Sequence, residues 1–208
     1  MKKNKISGNY PKVVILTGGI ASGKSTVSAF FEEFNIEVID MDKISYSLTT
    51  NDGKVLEKLR EEFDAKFFKV DGSLNKEKVR NEIFLNKKLK LKLERILHPM
   101  IAKEAKLATL SAVGPYIVHV VPLWVEINKK RKSDIWKVVV VDCPENIQRI
   151  RAFKRSTKDA ETFDRIKSHQ VSRTARLAAA DLIIDNDGSL ESLREKSLKV
   201  HNYLLNNA

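Results

Sequence analysis

Cysteine is nearly absent from this chain: Cys143 stands alone among 208 residues, which excludes an internal disulfide and a metal site built from several thiolates. A lone free cysteine is usually a small buried residue, here at a strand end, and a cytoplasmic setting suits it. Long apolar runs are missing too. None approaches the roughly 18 residues of a membrane span, so no membrane association is expected. The basic start, Met1-Lys2-Lys3-Asn4-Lys5, precedes only a short apolar stretch and reads as a tail, not a targeting signal. Internal repeats, low-complexity tracts and flexible linkers are also lacking, as is any aromatic-basic platform of the kind that stacks nucleic-acid bases.

What remains is a globular composition, 42% hydrophobic and 31% charged, in a length that suits one α/β domain with insertions. The net charge of +11 favours polyanionic partners without choosing between nucleotides and nucleic acid. Lys87, Lys88, Lys90 and Lys92 alternate with leucines in a helical stretch and read as a solvated face. No nucleic-acid partner is therefore expected.

The organising stretch is Thr17-Gly18-Gly19-Ile20-Ala21-Ser22-Gly23-Lys24-Ser25-Thr26, placed between the apolar run Val13–Leu16 and a helical pattern. Gly18, four intervening residues and Gly23-Lys24-Ser25 match the phosphate-loop pattern, in which backbone N–H groups and a helix N-terminus converge on a polyphosphate. Glycine lets the chain turn and lets phosphate oxygens approach without a Cβ in the way. Gly19, Ala21, Ser22, Gly23, Lys24, Ser25 and Thr26 are thus expected to bind ATP. Lys24 would serve as a point charge on the β and γ phosphates, and the Ser25 hydroxyl as a Mg²⁺ ligand.

Beyond the loop, Val27, Phe30, Phe31 and Phe34 mark the inner face of a helix, with Asn35 as its C-terminal cap. Ile36–Ile39 predicts a buried strand ending in Asp40-Met41-Asp42, both carboxylates lying on one side if the strand continues. One could receive a proton from an attacking hydroxyl while the other caps the helix expected near Lys43; spacing does not say which. From 52 to 112 the pattern is helical, broken by the turn Val70-Asp71-Gly72-Ser73. His98-Pro99 is expected at the start of a helix over Met100–Leu110, where His98 is a cap, a packed ring or a ligand contact. Strands are predicted at Tyr116–Val121, Lys137–Val141 and Leu182–Ile184, and a last helix capped by Ser189. Strands recurring after helices imply parallel βαβ units in a three-layer α/β/α sandwich. The 149–176 segment carries Arg149, Arg151, Arg155, Arg165, Arg173 and Arg176, at spacings that allow a phosphate clamp.

Taken in order, the glycine loop, Ile39-Asp40-Met41-Asp42, Leu97-His98-Pro99, Val121-Pro122-Leu123-Trp124-Val125-Glu126, the arginine segment and Ile184-Asp185-Asn186 resemble the dephospho-CoA kinase family. The resemblance runs from about Lys12 to the last helix and implies a P-loop kinase domain over 12–208. Within it, 52–112 would be a helical acceptor-binding insertion and 149–176 a lid. It implies transfer of a phosphoryl group from ATP, with Mg²⁺, to the ribose 3′-hydroxyl of dephospho-CoA, giving CoA and ADP. By the same likeness Asp42 matches the base, with Lys24, Arg151 and Arg155 catalytic. Asp40, His98 and Arg173 fall on the acceptor side, and Asn186 near the nucleotide base. Three positions depart from the pattern. Ala21 stands for a glycine and is tolerable at negative φ, Val121 for an acid that could face Mg²⁺, and Lys76 for an arginine, losing bidentate geometry. A kinase for another small acceptor, or a nucleotide-switched nucleic-acid-binding module, are the alternative readings; oligomeric state is not legible.

Overall fold

The computed structural model describes residues 11–50, 55–128, 133–155 and 160–208, with only the backbone of Arg80, Phe84, Leu85, Arg155, Ala160 and Glu161. The chain forms two compact units, Met1–Ile39 with Ser111–Ala208, and Asp40–Leu110.

Runs of Val, Ile and Leu build the first unit's sheet: β1 (Lys12–Gly18), β2 (Val38–Asp40), β3 (Tyr116–Val120), β4 (Ile135–Asp142) and β5 (Leu182–Asp185). Their order is β2-β3-β1-β4-β5. β1 runs parallel to β3, with Leu16 beside Val120, and to β4, with Gly18 beside Val141; β4 pairs β5, with Asp142 beside Asp185. The central strands β1, β3 and β4, buried on both faces over most of their length, need continuous apolar sequence, and alternation sends successive residues to opposite layers. Val14, Leu16, Val139 and Val141 face a layer with Val27, Phe30 and Phe31 of α1 (Lys24–Glu33) and Leu193, Val200 and Leu204 of α10 (Leu190–Asn207). Ile15, Val138 and Val140 face Trp124 of α6 (Trp124–Ile127), with Leu177 of α9 (Arg173–Ala178) packed alongside. The expected three-layer α/β/α architecture with a parallel sheet is therefore present, each large apolar side chain withdrawn from water contributing roughly 1.5–3 kcal/mol. Helices α7 (Glu145–Arg155) and α8 (Ala160–Ser168) fill the interval before α9.

Helix ends follow local chemistry. Asn35 takes φ +60°, and the Asn35 and Ile36 N–H groups bond to Glu32 O and Phe31 O, closing α1 in a Schellman motif. Ser189 accepts from Ser192 N at 3.2 Å and starts α10.

The second unit is helical. It contains α2 (Met41–Leu48), α3 (Leu56–Glu62), α4 (Lys76–Leu85) and α5 (Lys87–Ser111), and among its described residues only Asp40, the last residue of β2, belongs to the main sheet. Its own core joins Leu48, Leu56, Leu59, Phe63, Val79, Leu93, Ile96 and Leu97. Because Leu48 packs in that core, the helical unit begins at Asp40, ahead of the expected residue 52. The expected turn is present: Gly72 has φ +82°, and Lys69 N donates to Ser73 O at 2.8 Å. One expectation fails here. No helix starts at Pro99; α5 is a single helix of 25 residues with Pro99 inside it, so His98 is an interior helical residue and caps nothing. Leu93, Ile96 and Leu97, buried just before Pro99, and Ala105 beyond it supply tertiary packing that offsets the missing proline N–H.

Candidate active site

Parallel strands deliver their carboxyl ends to one edge of a sheet, where ligands of open α/β folds bind. At that edge β1 runs into Gly18-Gly19, β3 into Val121-Pro122, β4 into Cys143 and β5 into Asn186. Thr17, 1% exposed, ties two of these exits by donating its hydroxyl to Pro122 O at 3.2 Å.

The Gly18–Thr26 loop folds as a strand-to-helix turn with Gly23 at the N-cap of α1 in left-handed conformation, φ +99°. Thr26 N and Val27 N bond to Gly23 O at 3.0 and 3.1 Å, and the polarity of the helix favours an anion at this end of α1. Lys24 Nζ donates to Gly18 O at 2.7 Å and Gly19 O at 2.8 Å, so its ammonium lies across the loop. Ser25 is exposed on the first turn. Ala21 corrects the sequence reading: its φ is +52°, in the left-handed region, where a Cβ costs energy that the usual glycine would not incur.

Side chains from distant segments clamp this loop. Asn186, 5% exposed, donates Nδ2 to Ser22 O at 2.7 Å. Arg151 donates from Nη1 to Asn186 O at 3.1 Å and from Nη2 to Asn186 Oδ1 at 3.2 Å. Gln170 Oε1 accepts from Ile20 N at 3.0 Å. A Cβ at Gly19 would come within 3.1 Å of both Gln148 Nε2 and Arg176 Nη1. Arg176, 6% exposed, donates to Val171 O at 3.0 Å and lies 3.8 Å from Glu126, whose Oε1 accepts from Val171 N. Glu126 Oε2 and Ser22 Oγ are buried without a hydrogen-bond partner.

These contacts involve several residues singled out from the sequence. Arg151, expected to be catalytic, has its fork engaged by Asn186, with Cys143 Sγ 3.4 Å from Nη1. The Cys143 thiol is pushed up by burial, against the pull of Arg151. Asn186, expected near the nucleotide base, has its amide engaged at both ends by Ser22 and Arg151. The side chain of Arg155 lies outside the described residues. Arg173 forms an ion pair with buried Asp142, Nη2 2.5 Å from Oδ2 and Nε 3.0 Å from Oδ1, a hydrogen bond that raises the guanidinium pKa above its ordinary value. Gln148, Gln170 and Asp142 were not singled out from sequence. Neither glutamine belongs to a spacing pattern, whereas Asp142 at a strand end could have been found by the rule that revealed Asp40 and Asp42.

In the helical unit the aspartate pair separates. The two carboxylates do not share one strand face, since β2 ends at Asp40 and Asp42 is helical. Asp40 is the N-cap of α2, its Oδ1 accepting from Asp42 N at 2.8 Å and Lys43 N at 3.2 Å, while Asp42 is exposed in the first turn. His98 lines a shallow groove on α5 with Leu91, Glu94, Arg95 and Pro99. Lys76 Nζ lies 3.4 Å from the centroid of the Tyr46 ring in a second hollow, with its pKa lowered by burial and by Lys69.

Residues 12–192 match the family model described as CoaE, dephospho-CoA kinase. A dephospho-CoA kinase of Thiobacillus denitrificans is 39% identical over 186 residues, covering 89% of this chain and 92% of that protein. Two solved structures share the fold at 24% identity. TT1252 from Thermus thermophilus has a TM-score of 0.80 with 94% of this chain and 98% of that chain covered. A dephospho-CoA kinase from Campylobacter jejuni has a TM-score of 0.64 over 95% and 99%.

Proposed function

Since the chain belongs to the dephospho-CoA kinase family, we propose that it transfers the γ-phosphoryl group of ATP to the ribose 3′-hydroxyl of dephospho-CoA, giving CoA and ADP. The observation that carries this is the Gly18–Thr26 loop, set at the sheet's carboxyl edge in front of α1 and braced by Asn186 and Gln170.

In this reading the backbone of the Gly18–Thr26 loop and the N-terminal end of α1 hold the β and γ phosphates, with Lys24 exchanging its two carbonyl contacts for phosphate oxygens. The acceptor oxygen attacks phosphorus, the bond to the ADP oxygen breaks, and the acceptor proton passes to a carboxylate. Asp42 is assigned that proton because it falls on the base position of the family's motif, whereas Asp40 caps α2. Arg155 is assigned to the transferring group and Arg173 to the acceptor, with Arg173 leaving Asp142 as the 149–176 segment closes. The Asp40–Leu110 unit receives the acceptor, with His98 and Asp40 on its side.

Mg²⁺ fits this donor set as a shared ion. Among the described residues no group of three or more His, Cys, Asp or Glu could hold a metal, whereas the exposed Ser25 hydroxyl offers one oxygen beside the phosphates. Bound there, the ion would neutralise charge on the phosphates. Among the described residues no helix is long and apolar enough to cross a membrane. The proposed setting is the cytoplasm, with no nucleic-acid partner.

A coupled ADP-release assay across dephospho-CoA, nucleosides and sugar alcohols tests the assignment. Turnover confined to dephospho-CoA is expected. Faster turnover on a nucleoside or sugar, or none with folded protein, would overturn it.

A further inference from the structure

The peptide plane joining Ser22 to Gly23 carries a carbonyl on one side and an N–H on the other, and planarity makes their directions inseparable. Asn186 Nδ2 holds that carbonyl at 2.7 Å, so it also aims the Gly23 N–H. An amide side chain can donate here in only one of two orientations. Flipped, it would set Oδ1 against the Ser22 oxygen, acceptor on acceptor. What selects the donating orientation is the guanidinium of Arg151, which has no acceptor: Nη2 meets Oδ1 at 3.2 Å while Nη1 meets the Asn186 backbone oxygen at 3.1 Å. The Asn186 backbone is fixed independently, its N–H bonding to Asp142 O at 2.8 Å. The fit is close, since a Cβ at Gly23 would lie 2.1 Å from Nδ2.

We infer that Arg151 is a positioning residue that acts on the phosphate loop through Asn186, setting the Ser22–Gly23 peptide for ATP and not touching the transferred group. It rests on the reading of the loop as an ATP site. Arg151 lies on α7, at the head of the 149–176 segment, so displacement of that helix would be transmitted to the loop through one amide. Gln170, near the other end of the segment, meets Ile20 N. The same segment thus reaches the loop at two points.

The test is a double-mutant cycle read in the Kd for Mg·ATP by calorimetric titration, with kcat and the acceptor KM alongside. Arg151→Ala and Asn186→Ala are each expected to weaken ATP about tenfold, and the pair together also about tenfold, because both remove the same link. Arg151→Lys, which lacks the fork, should fall between wild type and Arg151→Ala. The acceptor KM should move less than twofold. A double variant weakened about a hundredfold, or an Arg151→Ala enzyme with lower kcat and unchanged Kd for ATP, would overturn the inference in favour of direct phosphate contact. If melting curves show that Arg151→Ala does not fold, the cycle runs with Arg151→Lys and Asn186→Asp. Aspartate keeps the acceptor for Arg151 and loses the donor for Ser22, so Arg151→Lys should then add less than twofold; a multiplicative effect refutes the link. Wild-type protein that binds no Mg·ATP would remove the underlying reading as well, a result distinct from ATP binding with an additive cycle.

Discussion

At Gly23, an added Cβ would come within 2.1 Å of Asn186 Nδ2 on a backbone with φ +99°, so Gly23→Ala combines a clash with left-handed strain of about 1–2 kcal/mol. Loss of ATP binding in titration and a lower melting temperature are expected. Ala21 is the converse case, since it already occupies φ +52°. Ala21→Gly should retain ATP binding and leave the melting temperature equal or higher, relief of strain offsetting glycine's greater freedom in the unfolded chain. Asp42→Asn is expected to lower kcat by about 10²- to 10⁴-fold with the Kd for ATP within twofold, by single-turnover kinetics and titration; unchanged turnover would transfer the base role to Asp40. At this scale the loop was legible because it is contiguous and each residue type in it has a task. The clamps on it were not. Asn186 and Gln170 reach the loop across 164 and 150 residues of sequence, and such contacts leave no local period. The division of labour between Asp40 and Asp42 was open for a related reason: a cap is recognised by where the helix begins, and α2 begins at Met41, two residues before the expected Lys43.

Helix α5 shows what periodicity can and cannot settle. Its apolar positions Leu93, Ile96 and Leu97 were read correctly as one face, but Pro99 was read as a boundary and lies inside the helix. A proline costs up to about 3 kcal/mol in a helix interior when nothing offsets it. Tertiary burial of Leu93, Ile96 and Leu97 supplies the offset, and burial is invisible to local propensity. Pro99→Ala should therefore raise the stability of the Asp40–Leu110 unit by about 1–3 kcal/mol in urea unfolding. Unchanged or lower stability would show that Pro99 packs favourably where it stands. The strands were more legible, because each is a short apolar run between turn residues. β4 is longer than expected, beginning at Ile135, since Trp136 is partly buried against the sheet's core.

For the molecule as a whole, acidification reports on half-buried His119 and buried His201 of the first unit. Burial pushes His119 down to about 4 from its ordinary 6.5, and lowers His201, whose Nδ1 lies 2.7 Å from the Tyr116 hydroxyl. The unfolded chain then binds more protons than the native one between those values, so this contribution is complete above about pH 6.5 and is lost as pH falls toward about 4. Melting temperature should fall across that window, and less steeply in His119→Asn; an equal slope would remove His119 as the cause. The architecture was legible at this scale from strand–helix alternation. The boundary of the helical unit was not, because α2 continues directly from β2 and only its packing assigns it. The central claim is that the loop passes the terminal phosphoryl group of ATP to one alcohol of dephospho-CoA. Incubating the protein with γ-labelled ATP, Mg²⁺ and dephospho-CoA and locating the label by mass spectrometry tests it directly. The account predicts label on the ribose 3′-oxygen of the product, absent with Lys24→Ala; label released as inorganic phosphate, or found on another oxygen, would contradict it.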